Sequence, residues 1–402
     1  MRQKLSISRL KSGTNHIKKL PLYIKRLHQL KKDENIATAY NVLSSNSNAR
    51  LFNLDLHIGV IADLEIEITK KSMSLTRWSI SSHNHLVSDR LPVTDPVRFV
   101  NARKWHLLND SIIDKFQNKY GKFLKSFDGF VCTYSPVFAE LYRGFNKPIL
   151  IVAATRYEAP YTNRKNDWNR FNKYLVEGVD NSRIALYANN QGDADYLDYF
   201  TGLKTKVVPS YCEKSGITSI RNGPRVIISK DQKLTKQIEF STDNFFRSVS
   251  ILGTPYKWND LTKCTEVLVF PQNISTMTLF ELATAGVPVA IPSRRWIKEL
   301  IASDFNLLNE LSFHQILGLS TTEMPSHSPA NYNSDEYLDW WLNRADFFNQ
   351  SLMPNVRVVD CFEDLIDNTL NFHTNLYTQT VSRNLEVVKK RGEMISHFME
   401  ML

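Results

Sequence analysis

Cysteine is scarce in this sequence. Its four residues among 402, Cys132, Cys212, Cys264 and Cys361, lie 80, 52 and 97 residues apart. No metal-ligand spacing or disulfide framework exists among them, which points to a reducing compartment. Glycine (14) and proline (15) are also few, so collagen-like and low-complexity classes are excluded. Long apolar runs are missing: the longest, around Ile149–Ala154, fits a buried strand and falls far short of the ~20 residues of a membrane span. The first residues lack the apolar stretch and small-residue cleavage site of a secretory signal, so a cytoplasmic location is expected, with peripheral membrane attachment left open. The G-x-G-x-x-G and P-loop patterns are absent, which argues against an NAD enzyme or an NTPase.

Acid is absent from one segment. Residues 1–32 hold ten Lys/Arg and no Asp/Glu, while the other residues carry 40 basic against 41 acidic side chains. The net charge of +9 therefore belongs to the N-terminal extension, and the body is near neutral. Within the extension, Ile17, Leu20, Ile24, Leu27 and Leu30 recur at helical spacing, interrupted at Pro21. Three readings stay open: attachment to an anionic membrane or acidic partner, a solvated helix packed on the body, or a mitochondrial presequence. A body without basic sheets and helices excludes nucleic acid as a partner.

What remains is an ordinary globular composition, 42% hydrophobic and 23% charged, in a chain long enough for two domains of roughly 150–200 residues. Short apolar runs alternate with amphipathic stretches, the signature of parallel sheets covered by helices. The first set has strands at Leu54–Ala62, Trp78–Ser81, Gly129–Thr133, Pro148–Ala153, Arg183–Tyr187 and Lys206–Pro209. The second has Arg225–Ser229, Ser248–Leu252, Glu266–Phe270, Pro288–Ile291 and Val356–Val359. Thr321–Ser334, rich in Ser, Thr, Pro and Asn, reads as a surface loop. The expected plan is α/β: a basic helical extension over residues 1–50, a Rossmann-like domain over 51–212, a linker over 213–224, a second Rossmann-like domain over 225–372, and C-terminal helices over 373–402. Ligands of such sheets bind beyond the strand C-termini, in a cleft shared by the two domains.

The most informative run is Thr265–Ser293, TEVLVFPQNISTMTLFELATAGVPVAIPS, read as strand, polar loop, helix, Gly286-Val-Pro288 turn and buried strand. A helix opening at Ser275-Thr276 offers unpaired N–H groups, a partial positive charge and two hydroxyls, which suit a diphosphate; equally, Asn273 or Ser275 caps the helix. This run resembles the donor-binding region of GT-B fold glycosyltransferases, in about 30 residues at motif level and in domain order over residues 54–402. The resemblance implies two doubly wound domains facing a cleft. It also implies that Glu281 accepts hydrogen bonds from ribose hydroxyls and that Lys230, just past a strand, neutralises the nucleotide diphosphate. Gln272-Asn273 stands where many such enzymes carry a second acid, which leaves an inverting or retaining outcome open.

In the first domain, Asp63 is expected at a strand C-terminus, facing the acceptor as a general base or capping the next helix. His57 lies in the same strand, either in the cleft or packed in the sheet. His85 follows the second strand as acceptor contact or alternative base. Arg156, Tyr157 and Glu158 follow the strand ending at Ala154, as phosphate partner, sugar-stacking ring and base on the cleft rim, or as a structural Arg–Glu pair. Asn189 ends the next strand as a sugar-hydroxyl contact. Asp193-Ala-Asp195 matches a D-x-D pattern but follows a polar turn, so helix-start acids are the better account and no metal site is expected. The reading is a metal-independent glycosyltransferase without a cofactor, its partners a nucleotide diphosphate-sugar donor and a glycan or other hydroxyl acceptor. A nucleotide-sugar epimerase and a non-catalytic nucleotide-sugar or glycan-binding protein are the alternatives.

Overall fold

A computed structural model describes residues 48–56, 58–80, 99–101, 104–212, 219–253, 256, 258–367 and 375–402. The basic segment 1–32, His57, His85 and residues 213–218 of the expected linker lie outside the described residues. The first domain is built on six parallel strands: β1 (Ala49–Asp55), β2 (Met73–Ser79), β3 (Gly129–Cys132), β4 (Ile149–Ala153), β5 (Ile184–Ala188) and β6 (Lys206–Val207), in the order β2-β1-β3-β4-β5-β6. The second has five parallel strands, β7 (Arg225–Ile228), β8 (Arg247–Ser248), β9 (Glu266–Val269), β10 (Val289–Pro292) and β11 (Val356–Val359), in the order β11-β10-β9-β7-β8. Two Rossmann-like α/β domains are therefore present, as the alternation implies. The central strands are apolar throughout because helices cover both faces: every residue of β3, β4, β9 and β10 is buried.

The covering helices of the first domain are α1 (Ile58–Lys70), α2 (Asp110–Leu124), α3 (Lys165–Asp180) and α4 (Gln191–Thr201). Those of the second are α5 (Gln232–Ser241), α6 (Trp258–Leu261), α7 (Met277–Ala285), α8 (Arg294–Ala302), α9 (Phe313–Leu317), α10 (Asp335–Leu342) and α11 (Asp364–Asp367), and the chain closes with α12 (Leu376–Met399). Local chemistry starts several of them. Asn109, Asn190, Asp231, Ser293, Ser312 and Ser334 each accept a first-turn amide hydrogen bond, satisfying a donor that the helix itself leaves open. At the end of α7, Gly286 adopts φ +67, a left-handed turn that aims the chain back into β10.

Three expectations need correction. β1 stops at Asp55, and Asp63 lies on α1 and not at a strand end; Asp55 is the strand-terminal acid. Leu54–Ala62 is apolar enough for either element, but only a helix lets Val60, Ile61, Leu64 and Ile68 pack together under the sheet. The expected strand Ser248–Leu252 shortens to β8, followed by a 3-10 turn over Val249–Leu252. The polar stretch Thr321–Ser334 is partly tucked in: Ser328, Ala330 and Asn331 are buried, and the Trp341 indole N–H donates to the Pro329 carbonyl at 3.0 Å.

The C-terminal segment is one 24-residue helix that stitches both domains together. Its buried face carries Leu376, Thr380, Arg383, Val387, Arg391, Met394, Ile395 and Phe398. At one end Arg383 donates to Thr284 Oγ1 of α7 (3.0 Å), to the Ser210 carbonyl (3.2 Å) and to the Leu352 carbonyl (3.1 Å). Two turns on, Arg391 pairs with Asp63 of α1 at 2.9 Å. Phe398 reaches the first sheet, where a Cβ added to Gly129 would lie 3.2 Å from its ring. No helix of the described residues is long and apolar enough to cross a membrane.

The Asp63–Arg391 pair is buried on both sides and generates a stability prediction. Arg391→Met strands a buried carboxylate on two backbone amides, and is expected to cost about 3–5 kcal/mol in urea unfolding. Adding Asp63→Leu removes the stranded charge and is expected to recover most of that loss. A single variant as stable as the parent contradicts the clasp.

Candidate functional site

Each sheet has a topological switch point, where neighbouring strands connect in opposite directions and a crevice opens beyond their C-termini. In the first sheet it falls between β1 and β3, and the protein fills it itself. The Asp55 carboxylate accepts from the backbone amides of Leu56 (2.8 Å), Thr133 (2.9 Å) and Tyr134 (3.1 Å), and from the Thr133 hydroxyl. In the second sheet the switch lies between β7 and β9. Lys230 follows β7 and Asn273, Ser275 and Thr276 follow β9, so four of the expected donor residues share one crevice at the start of α7.

The loop after β9 is held from two sides. Residues 306–311 run beside it, with Leu308 N–H on the Pro271 carbonyl (3.0 Å), Glu310 N–H on the Gln272 carbonyl (3.1 Å) and the Gln272 amide on the Asn306 carbonyl (2.9 Å). From the first domain, Arg156 closes over it. Its guanidinium, 3% exposed, donates to the Leu311 carbonyl (2.6 Å) and to Asn273 Oδ1 (3.1 Å), pairs with Asp193 at 2.8 Å and lies 5.0 Å over the Trp341 ring. Asn273 Oδ1 also accepts from the Ile274 amide at 2.8 Å. Arg156 therefore ties the domains together, through contacts that a phosphate at this position would have to replace.

The other expected residues divide by burial. Tyr157 is not on the cleft rim. It lies in the first core, where its hydroxyl donates to Asn172 (2.7 Å) and accepts from the Trp168 indole (2.8 Å). Glu158 is fully buried and accepts from the Tyr196 hydroxyl at 2.8 Å. Asn189 is buried and accepts from the Asn190 amide at 2.6 Å. Asp63 accepts from the Tyr211 (3.1 Å) and Cys212 (2.7 Å) amides besides pairing with Arg391, so it is committed to structure. Asp193 starts α4 and pairs with Arg156, while Asp195 pairs with Arg344 at 2.6 Å. Among the described residues no group of three or more His, Cys, Asp and Glu side chains is placed to hold a metal ion.

Lys230 and Glu281 stay accessible. Lys230 is exposed and ion-paired with Glu310. Thr276 occupies the N-cap position of α7, yet its side chain makes no capping bond. Glu281, half-buried on α7, has no hydrogen-bond or ion-pair partner among the described residues; burial, then the nearby Asp63 charge, push its carboxyl up to about 7. Two participants had no sequence signal. Asp346, in an unremarkable RADFFNQ stretch, is buried and donates its amide to the Ile274 carbonyl at 3.3 Å, and Trp341 supplies the ring beneath Arg156.

No family model and no curated protein matches the sequence. Among solved structures, the chain is similar to a glycotransferase of kitacinnamycin at 11% identity, covering 88% of this chain and 98% of that one, with a TM-score of 0.45. A UDP-GlcNAc 2-epimerase from Neisseria meningitidis bound to UDP-GlcNAc follows at 13% identity, 74% and 96% coverage and a TM-score of 0.38. The glycosyltransferase SnogD from Streptomyces nogalater is similar at 11% identity, with 74% and 94% coverage and a TM-score of 0.37.

The buried Glu158 carries a pH prediction. Burial pushes its carboxyl from the ordinary 4.5 up to about 7. Between those values the folded chain keeps a proton that the unfolded chain releases, so stability falls as pH rises through this window. Glu158→Gln keeps an acceptor for Tyr196 and removes the titration. It is expected to gain about 3 kcal/mol on the parent between pH 4.5 and 7 in denaturant unfolding. A difference that stays flat across this range counts against a buried, titrating Glu158.

Proposed function

We propose that this protein is a glycosyltransferase that moves a sugar from a nucleotide diphosphate-sugar to an acceptor hydroxyl. The observation that carries the reading is Glu281, a half-buried carboxylate on α7 without a hydrogen-bond or ion-pair partner among the described residues, on the helix that follows β9 beside the exposed Lys230 after β7. A carboxylate placed this way accepts hydrogen bonds from the vicinal hydroxyls of a ribose. The first amides of α7, with Ser275 and Thr276, suit the diphosphate, and Lys230 can exchange its exposed Glu310 partner for it. Charge then leaves with the nucleotide into fixed donors, which lowers the barrier without a metal. Asp63 and Glu158 are engaged elsewhere, so the acceptor base is assigned to His85, with Arg156 holding the domains in register.

Thermal shift against a panel of UDP-, dTDP- and GDP-sugars tests binding, since a specific ligand stabilises by mass action. Isomerisation of the sugar without any acceptor would assign the protein to the epimerases instead. Glu281→Ala is expected to stay folded and to weaken the nucleotide-sugar by about 10- to 150-fold in calorimetry, the loss of roughly 1.5–3 kcal/mol of charge-assisted hydrogen bonding. Unchanged affinity in the folded variant rules out the ribose contact. Transfer activity is expected to survive EDTA; complete loss restored by Mn²⁺ would put a metal at the diphosphate.

A further inference from the structure

We propose that Glu310 makes this site discriminate between an intact nucleotide diphosphate-sugar and the free nucleoside diphosphate that transfer leaves behind. Its carboxylate shares Lys230 with the diphosphate and repels the extra charge of a terminal phosphate. The proposal rests on the nucleotide-sugar reading above and names a specificity-determining residue of that same site.

Glu310 belongs to the segment over residues 306–311, which is strapped to both neighbouring loops of the crevice. At one end the Asn306 amide donates to Asp231 Oδ2 at 2.8 Å, next to Lys230 in the chain. In the middle, the Leu308 and Glu310 amides donate to the Pro271 and Gln272 carbonyls at 3.0 and 3.1 Å. At the far end the Leu311 amide donates to Gln315 Oε1 at 3.1 Å, and its carbonyl accepts from Arg156 at 2.6 Å. The backbone that carries the Glu310 carboxylate is therefore held on both sides. Its ion-pair partner is freer: the Lys230 ammonium sits on a flexible four-carbon stem, 58% exposed against 41% for Glu310. An exposed pair of this kind contributes little by itself, so an entering phosphate can draw the lysine away while the glutamate stays.

The surroundings sharpen the asymmetry. Arg156, the cation on the other side of this segment, is already committed to Asp193, Asn273 and the Leu311 carbonyl. Over residues 271–273 and 306–311, the buried side-chain atoms without a hydrogen-bond partner are Gln272 Oε1 and Asn309 Oδ1, and both are acceptors. Neither offers anything to a further negative charge.

Two acceptors that share one ammonium lie within about 6 Å of each other, roughly twice a hydrogen-bond length. A phosphate on Lys230 therefore keeps the Glu310 charge as a near neighbour. In the intact donor each phosphate is a diester with a single charge, and beyond the second phosphate comes a sugar whose hydroxyls can donate to a carboxylate. Transfer breaks the C1–O bond, and its electron pair stays on the terminal phosphate oxygen. That phosphate is now a monoester with a second ionisation at about pH 6, so at pH 8 the free nucleoside diphosphate carries one more negative charge. Repulsion over about 6 Å, in surroundings between a protein surface and water, corresponds to about 3- to 30-fold in affinity. Glu310 thus speeds the product on its way, and Lys230 returns to it.

Calorimetry at pH 8 on the full chain tests this with UDP, dTDP and GDP, each beside its β-methyl ester, and with UDP-glucose, dTDP-glucose and GDP-mannose. The methyl ester has the charge of the donor and no sugar. For whichever nucleoside binds, the wild type is expected to hold the methyl ester about 3- to 30-fold more tightly than the free diphosphate, although the ester is the lesser anion. A site governed by Lys230 alone gives the opposite order. Glu310→Gln keeps an acceptor for sugar hydroxyls and removes the charge. It is expected to erase the preference for the ester and to narrow the gap between free diphosphate and sugar nucleotide by the same factor. The wild-type comparison does not depend on the variant folding. Free diphosphate bound by the wild type as tightly as its ester or more so, or a folded Glu310→Gln that keeps the wild-type preference, overturns the role of Glu310 and leaves the nucleotide-sugar reading intact. No binding of any probe to the folded wild type overturns both.

Discussion

One buried guanidinium governs the seam between the two sheets. Arg156 emerges from the end of β4 and reaches three separate pieces of chain: Asp193 at the start of α4, Asn273 in the loop after β9, and the carbonyl of Leu311. A buried cation demands full satisfaction, because desolvation costs it several kcal/mol that only well-placed acceptors offset. That demand places the loop after β9 against the first domain. Trp341, stacked on Tyr196 with 5.6 Å between centroids, closes the open face of the guanidinium and excludes water from the pair.

The same logic recurs at the other end of the seam. Arg383 and Arg391 lie eight residues apart on one face of α12, so one rigid helix delivers both cations to the junction. Their partners come from α7, from α1 and from the segment over residues 209–210 that ends the first domain. Geometry alone ties the relative placement of the sheets to this helix. Burial even pulls the Arg383 guanidinium down to about 10, a measure of how thoroughly water has been excluded there.

Between these two clasps the crevice keeps its unspent chemistry. Two of the cations that hold the domains together are ion-paired, Arg156 with Asp193 and Arg391 with Asp63, while Arg383 is satisfied by carbonyl and hydroxyl oxygens. Glu281 and Asp346 are left with incomplete satisfaction among the described residues, and burial raises the proton affinity of each. Strongly perturbed carboxyls tend to gather at functional sites. Glu158 warns against using that sign alone, since it is equally poised but sealed inside the first core.

Some of this was legible in the residues themselves. Apolar runs such as Ile149–Ala153 and Val289–Pro292, short, rich in β-branched residues and bounded by turn signals, read as strands covered on both faces, and their alternation with amphipathic stretches points to two parallel α/β sheets. The strand, polar loop, helix and glycine turn over Thr265–Ser293 follow from local chemistry, and the helix-start role of Asp193 follows from the polar turn before it. Fates decided by contacts distant in sequence were not legible. Arg156, Tyr157 and Glu158 are three consecutive polar residues past a strand, yet one becomes a bridge between domains and two are drawn into the core by Trp168, Asn172 and Tyr196. Asp63 sits in a run apolar enough for strand or helix, and only the packing of α1 beneath the sheet and the arrival of Arg391, 328 residues later, decide its place. Periodicity is a property of neighbouring residues and is written in the chain. Whether a charge is solvated, paired or left waiting depends on what the fold brings to it from elsewhere, and tertiary structure alone supplies that.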